Sequence, residues 1–209
     1  MDHLTSSIAL SLETRNWHAA LATALTIPDI CSYINDGAHT NGKKYAAWFN
    51  QYVGSFYKTN YSESQLQMVL KYSTKEDYEN LKKQTKLSGN DCYAFRCAYL
   101  HQGLGDISSQ RAREILQGIK FVEPHGQMIM HGSILNNQLI LHINTFCEHM
   151  IAGVEQWREN LDTEQSNRFN NFLLVKDVFA RYAGVEAVEL LFFKKNSQFY
   201  GFQMHCLML

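Results

Sequence analysis

Tyr45, Trp48, Phe49, Tyr52, Val53 and Phe56 recur at intervals of three and four residues, which places them on one side of an α-helix. No other feature constrains the chain as strongly. The stripe predicts an amphipathic helix over 43–57 whose aromatic face enters a protein core. A stacking platform for nucleobases is the competing use of the same residues.

Helical periodicity extends well beyond this stripe. Leu10, Trp17, Leu21 and Leu25 recur at helical spacings over 6–34, and Ala19, Ala20, Ala22 and Ala24 add strong helix propensity. Pro28 is expected to end or kink that segment. A polar connector covers 35–42. A helix is expected near 75–83, after the capping candidates Ser73 and Thr74. Ser88-Gly89-Asn90-Asp91 reads as a turn opening a compact helix over 92–102, with Asp91 as its N-cap and Gly103 and Gly105 as its stop. A short helix carrying Arg111 and Arg113 is expected within 108–118.

The period then changes. Segments 119–123, 127–135 and 138–143 are β-prone, and Asn136-Asn137 suits a tight hairpin turn. The expected result is a small antiparallel sheet. Asn144 or Thr145 is expected to cap a further helix with Phe146, Met150, Val154, Trp157 and Leu161 on one side. Beyond it, 167–191 reads as helical and a terminal hairpin fits around Lys195-Asn196-Ser197. The fold class is therefore mainly α: a helical bundle with a small antiparallel β insertion. One domain is expected over 1–209, with a helical core (1–118), a β-hairpin insertion (119–143) and a helix plus C-terminal extension (144–209).

Of 209 residues, 45% are hydrophobic and 19% charged, with a formal net charge of −1. That balance argues for a large buried surface, which can include a subunit interface, and excludes a globally basic nucleic-acid coat. A local basic groove remains open: Lys43, Lys44, Lys82, Lys83, Lys86, Arg111, Arg113 and Lys120, interleaved with Tyr78 and Tyr99, could track phosphates. Arg111, Arg113 and Lys120 are the leading RNA-binding candidates, with solvated faces as the plainer reading. The five cysteines, Cys31, Cys92, Cys97, Cys147 and Cys206, show no C-x-x-C pair and read as reduced thiols of a cytoplasmic protein. Neither a secretory leader nor a run of about 18 apolar residues is evident.

The segment with chemical content is Asp91–Cys92–Tyr93–Ala94–Phe95–Arg96–Cys97–Ala98–Tyr99–Leu100–His101. At about 100° per residue, Tyr93, Cys97, Leu100 and Leu104 form an apolar strip flanked by Arg96 and His101, about 140° apart. On one helix such a pair is not expected to meet. Two antiparallel copies packed through the strip would border one cleft with both. Arginine supplies a permanent planar donor fork suited to phosphate, and histidine exchanges a proton near neutrality.

Arg96-x4-His101 on a helix of a mainly helical domain resembles the motif of the HEPN superfamily. That resemblance implies a helical-bundle homodimer with a composite active site and a metal-independent endoribonuclease, with no cofactor. His101 would be the general acid/base and Arg96 the group that stabilises the phosphoryl transition state. Asn90, Asp91 and Tyr93 are supporting candidates. Phage defence or a toxin–antitoxin pair, with an antitoxin or regulatory partner, is the implied setting. Cys97 stands where that family often carries Asn, Asp or His. The alternative is a non-catalytic helical module that dimerises or binds protein, RNA or nucleotide through the same strip.

Other chemistries have weaker support. His125, His131, His142 and His149, near Cys147 and Glu148, could in principle ligate zinc or iron, but no H-E-x-x-H or compact zinc spacing appears. Strand alternation gives no reason for these histidines to converge, so structural histidines are the expectation and no metal is assigned. The glycine-rich phosphate loops and the G-x-S-x-G elbow are also absent from the sequence.

Overall fold

The computed structural model describes residues 1–59, 85–123 and 131–170, together with 62, 64, 67, 68, 71 and 74. The helix expected over 75–83 and the terminal hairpin lie outside the described residues. So does all but the start of the helix expected over 167–191. The described architecture is mainly helical with a small three-stranded sheet. Its α-helices are α1 (Asp2–Glu13), α2 (Trp17–Asp36), α3 (Gly42–Tyr52), α4 (Gly89–Gln102), α5 (Ile143–Arg158) and α6 (Thr163–Asn170). The strands are β1 (Gly118–Val122), β2 (Ser133–Leu135) and β3 (Gln138–His142).

The aromatic stripe does enter the core. Tyr45, Trp48, Phe49, Tyr52 and Val53 are buried, and only Phe56, on the 3-10 turn Gly54–Tyr57 that follows α3, is largely exposed. The segment expected as one helix over 6–34 is two. Arg15 adopts φ 56°, and Asn16 caps α2 by accepting the Ala19 amide. Pro28 neither ends nor delimits α2, which runs to a left-handed Gly37. Its ring removes the amide that would bond Ala24, but Pro28 is itself buried, and the Tyr45 hydroxyl donates to the adjacent Leu25 carbonyl at 3.2 Å. Core packing on both sides of the interruption offsets the lost hydrogen bond.

Helix α4 packs on α3, and its close approach depends on Gly89, where a Cβ would lie 2.3 Å from the Ala46 carbonyl oxygen. The helix starts one turn earlier than expected. Ser88, not Asp91, is the N-cap and accepts the Asp91 amide. Gly103 ends the helix at φ 69°, as expected of a C-terminal glycine.

Residues 108–117 form turns and loop rather than the expected short helix, and Gly118 opens β1. The hairpin β2–β3 is antiparallel, with Asn136 and Asn137 at φ 51° and 58° in its turn. β1 joins the other side of β3 in parallel, Gly118 opposite Gln138 and Val122 opposite His142. The sheet is therefore mixed rather than purely antiparallel. β3 is central, and its buried Leu139, Ile140 and Leu141 reflect cover by neighbours. α5 begins directly at Ile143 without a side-chain cap, so neither Asn144 nor Thr145 plays that part. Phe146, Met150, Val154 and Trp157 are its buried face, and Trp157 donates to Asn35 of α2 at 2.8 Å.

Candidate functional site

α4 has two working faces. Asp91, Cys92, Ala94, Phe95 and Ala98 are buried against the core, whereas Tyr93, Arg96, Cys97 and Leu100 are half-buried and His101 is exposed. Leu104, just past the helix, is 49% exposed. Of the apolar strip, Tyr93 packs against the core, whereas Leu104 and the open sides of Cys97 and Leu100 remain accessible in a single copy.

Arg96 and His101 do meet on one helix, contrary to expectation: Arg96 Nη1 lies 3.4 Å from His101 Nε2. The long arginine stem spans the gap that the positions alone would leave. A guanidinium has donors only, so Nε2 accepts and the imidazole in this contact carries its proton on Nδ1. On its other side Arg96 faces α2, where Nη2 lies 3.0 Å from Asp29 Oδ2. Among the described residues neither Asp29 Oδ2 nor Arg96 Nε has a hydrogen-bond partner, so this pair is a close ionic contact that leaves Arg96 Nε without an acceptor there. Burial is the largest single influence and penalises the Arg96 charge, but the Asp29 carboxylate, Cys97 and Tyr45 together more than offset it and hold its pKa above the ordinary value.

Tyr93 lies beside this corner and packs its ring on Tyr45 at 5.3 Å. Burial, then the Cys97 thiol, pushes the Tyr93 phenol up, so it is a hydrogen-bonding group rather than a base. Asn90 and Asp91 do not join the corner. Asn90 donates to Glu114 at 2.6 Å. Asp91 is fully buried and accepts the amides of Glu114 at 2.7 Å and Ile115 at 3.2 Å, fastening the 108–118 segment to the start of α4. Three residues past its cap, it serves as an anchor.

The basic candidates are scattered. Arg111, Arg113 and Lys120 are exposed, the first two on the turn segment and the third on β1. Arg113 Nε is already committed to the Ser108 carbonyl at 2.9 Å. Lys44 pairs with Asp36 at 2.8 Å, and Lys43 is exposed. Lys82, Lys83 and Tyr78 lie outside the described residues. Tyr99 is engaged with His18, hydroxyl to Nδ1 at 2.7 Å.

Three of the four histidines considered as ligands converge. His131 lies 5.6 Å from His142 and 5.8 Å from His149, ring to ring. His149 stacks on Phe56 at 4.1 Å, and its Nδ1 lies 3.2 Å from the Tyr57 hydroxyl. His131 Nδ1 accepts the His142 amide at 3.1 Å. No group of three or more His, Cys, Asp or Glu among the described residues is placed to hold a metal ion; His125 lies outside them. Burial, reinforced by His131, pushes His149 down to about 4. Burial, then His142 and Lys86, lowers His131 as well. A sequence signal for part of this grouping existed: His142 and His149 are seven residues apart, two turns on one helical face, and His142 is the residue from which α5 starts.

The cysteines follow the expectation where they are described. Cys31, Cys92 and Cys147 are buried and free, and Cys97 is free and half-buried. Burial pushes the Cys92 and Cys147 thiols up to about 12, which suppresses thiolate chemistry.

No protein-family model, curated protein or solved structure matches the chain. Among the described residues no helix is long and apolar enough to cross a membrane.

Proposed function

We propose that the Arg96–His101 corner handles phosphodiesters and that the protein is a HEPN-like, metal-independent endoribonuclease. The observation that carries this reading is the 3.4 Å contact between Arg96 Nη1 and an accepting His101 Nε2 at the exposed end of α4. In the proposed reaction the phosphate of an RNA backbone takes over the Arg96 donors, and His101 Nε2 is freed to accept the ribose 2′-hydroxyl proton. The 2′-oxygen attacks phosphorus, Arg96 balances the charge growing on the phosphoryl oxygens, and the 5′-oxygen leaves with a proton. The products are a 2′,3′-cyclic phosphate and a 5′-hydroxyl. In a homodimer packed through Tyr93, Cys97, Leu100 and Leu104, the two copies of His101 divide the roles of base and acid. Arg111, Arg113 and Lys120 would supply outlying phosphate contacts, and phage defence or a toxin–antitoxin pair is the proposed setting.

The test is cleavage of RNA in excess EDTA by the wild type, Arg96→Ala and His101→Ala. Activity in the wild type alone supports the assignment; activity that survives both substitutions, or that needs a divalent ion, removes it.

The exposure of Leu104 favours a second reading, in which the strip is an interaction surface and the protein is not an enzyme. Both readings require self-association or a partner at this strip. Mass measurement by light scattering at micromolar concentration should return a dimer for the wild type and a monomer for Leu104→Glu. A wild-type monomer would count against the composite site.

A further inference from the structure

A cavity on a different side of α4 has the character of a small-molecule site. Its volume is about 320 Å³, at the lower end of the roughly 300–1,000 Å³ of such sites. The start of α2, α4, β1 and the first residue of α5 all contribute to it, with Leu21, Phe95, Phe121 and Ile143 as apolar lining. The buried Phe95 ring stacks on Tyr99 at 5.5 Å and meets Phe121 tilted at 5.4 Å, so it backs a wall whose accessible rings are Tyr99 and Phe121. Two polar pairs complete the lining. His18 Nδ1 meets the Tyr99 hydroxyl at 2.7 Å, and Trp17 Nε1 donates to Glu123 Oε1 at 2.6 Å.

The charge pattern narrows the ligand. Glu123 is the sole carboxylate among the described residues that line the cavity, and no lysine or arginine is among them. Glu123 Oε1 is taken by Trp17, while Oε2 receives no hydrogen bond among the described residues. An anionic ligand would find repulsion from Glu123 with no lysine or arginine in the lining to receive it. A neutral apolar ligand would leave the Glu123 oxygen unused. A cation on a flat ring satisfies both parts: aromatic walls attract cations as well as apolar surface, and a carboxylate accepts charge-assisted hydrogen bonds.

We propose that this cavity binds a small aromatic amine, its ring against Phe121 and Tyr99 and its ammonium group on Glu123. The site does not depend on Arg96 or His101, and it stands or falls without reference to RNA cleavage.

Tryptamine, indole and indole-3-acetate share one ring and differ in charge, so they separate the contributions when titrated calorimetrically at neutral pH. Tryptamine should bind with a Kd below about 1 mM and at least about ten-fold more tightly than the other two. Glu123→Gln keeps an acceptor for the Trp17 indole but deletes the charge, and should reduce tryptamine to the affinity of indole. In 15N-labelled protein, tryptamine should move the side-chain indole resonance of Trp17, assigned with Trp17→Phe, and leave those of Trp48 and Trp157 in place. Failure of tryptamine to bind at millimolar concentration would overturn the proposal. So would equal affinity for indole-3-acetate, a preference retained by Glu123→Gln, or a stationary Trp17 resonance.

Discussion

The molecule holds two groups of histidine-centred polar residues, and their surroundings push them in opposite chemical directions. At the end of α4, His101 is exposed, and Asp29, with Cys97 and Tyr45, offsets the burial of its neighbour Arg96. Around Tyr57, by contrast, His131 and His149 are half-buried among rings and each other, and burial drives both toward the neutral form. Three histidines in one place promise the richer chemistry by number alone. Yet His131 Nδ1 is held by a backbone amide and His149 Nδ1 by a phenol, which makes that cluster part of the packing. The smaller group, with one histidine and one arginine, leaves Arg96 Nε without an acceptor among the described residues and His101 open to solvent. Partners and hydration decide what a histidine can do, more than the number of histidines present.

This contrast can be broken most sharply through activity. Under the ribonuclease reading, His101→Ala should lower the initial rate of RNA cleavage by about 10²–10⁴-fold, while His149→Phe, which preserves the ring stack on Phe56, should leave it unchanged. Thermal melts followed by circular dichroism alongside the rates would separate lost chemistry from lost structure. Equal losses in both variants would erase the distinction between the two regions.

The next largest effect concerns acid stability. His149 has a folded pKa of about 4, below its ordinary value of 6.5. The unfolded chain therefore binds the proton more readily, so the stability contributed by the neutral ring is complete above pH 6.5 and lost as pH falls toward 4. After allowance for solvent screening of a half-buried ring, the loss should be roughly 1–2 kcal/mol. Urea unfolding across this range should show the decline in the wild type and a shallower one in His149→Phe. Parallel pH profiles would mean that the ring is not desolvated as described.

The smallest expected effect sharpens the account of Arg96. Asp29→Asn removes the charge opposite the guanidinium, and because the pair is partly exposed it should cost about 1 kcal/mol or less in stability. Cleavage should fall by about ten-fold, since the donor fork loses its fixed orientation. If Asp29→Asn raises activity instead, the carboxylate restrains Arg96 rather than orienting it.

Local patterns carried much of this fold, and the failures have definite causes. The α3 stripe, the Asn136-Asn137 turn and the Gly103 stop were legible because each is set by periodicity or by backbone conformation within a few residues. The break at Arg15 was not, because a positive φ at arginine has no local signature. Pro28 does not end α2 because its cost is met by packing from elsewhere in the chain, including the Tyr45 hydroxyl. Parallel pairing of β1 with β3 is a long-range choice that alternation does not encode. At the site, the sequence identified Arg96 and His101 as a pair but underestimated the reach of the arginine, and it carried no sign of Asp29 as their neighbour. Asp91 was misread as a cap because Ser88, one turn earlier, could not be ranked above it without the contact between Gly89 and Ala46.

The most direct measurement is the chemistry of the cut ends. A uniformly labelled single-stranded RNA, incubated with the purified wild type in excess EDTA, should yield 2′,3′-cyclic phosphate and 5′-hydroxyl termini, and His101→Ala should yield them about 10²–10⁴-fold more slowly. Intact RNA with the wild type, or 3′-hydroxyl and 5′-phosphate ends that appear only when a divalent ion is supplied, would contradict a phosphodiester-handling role for Arg96 and His101.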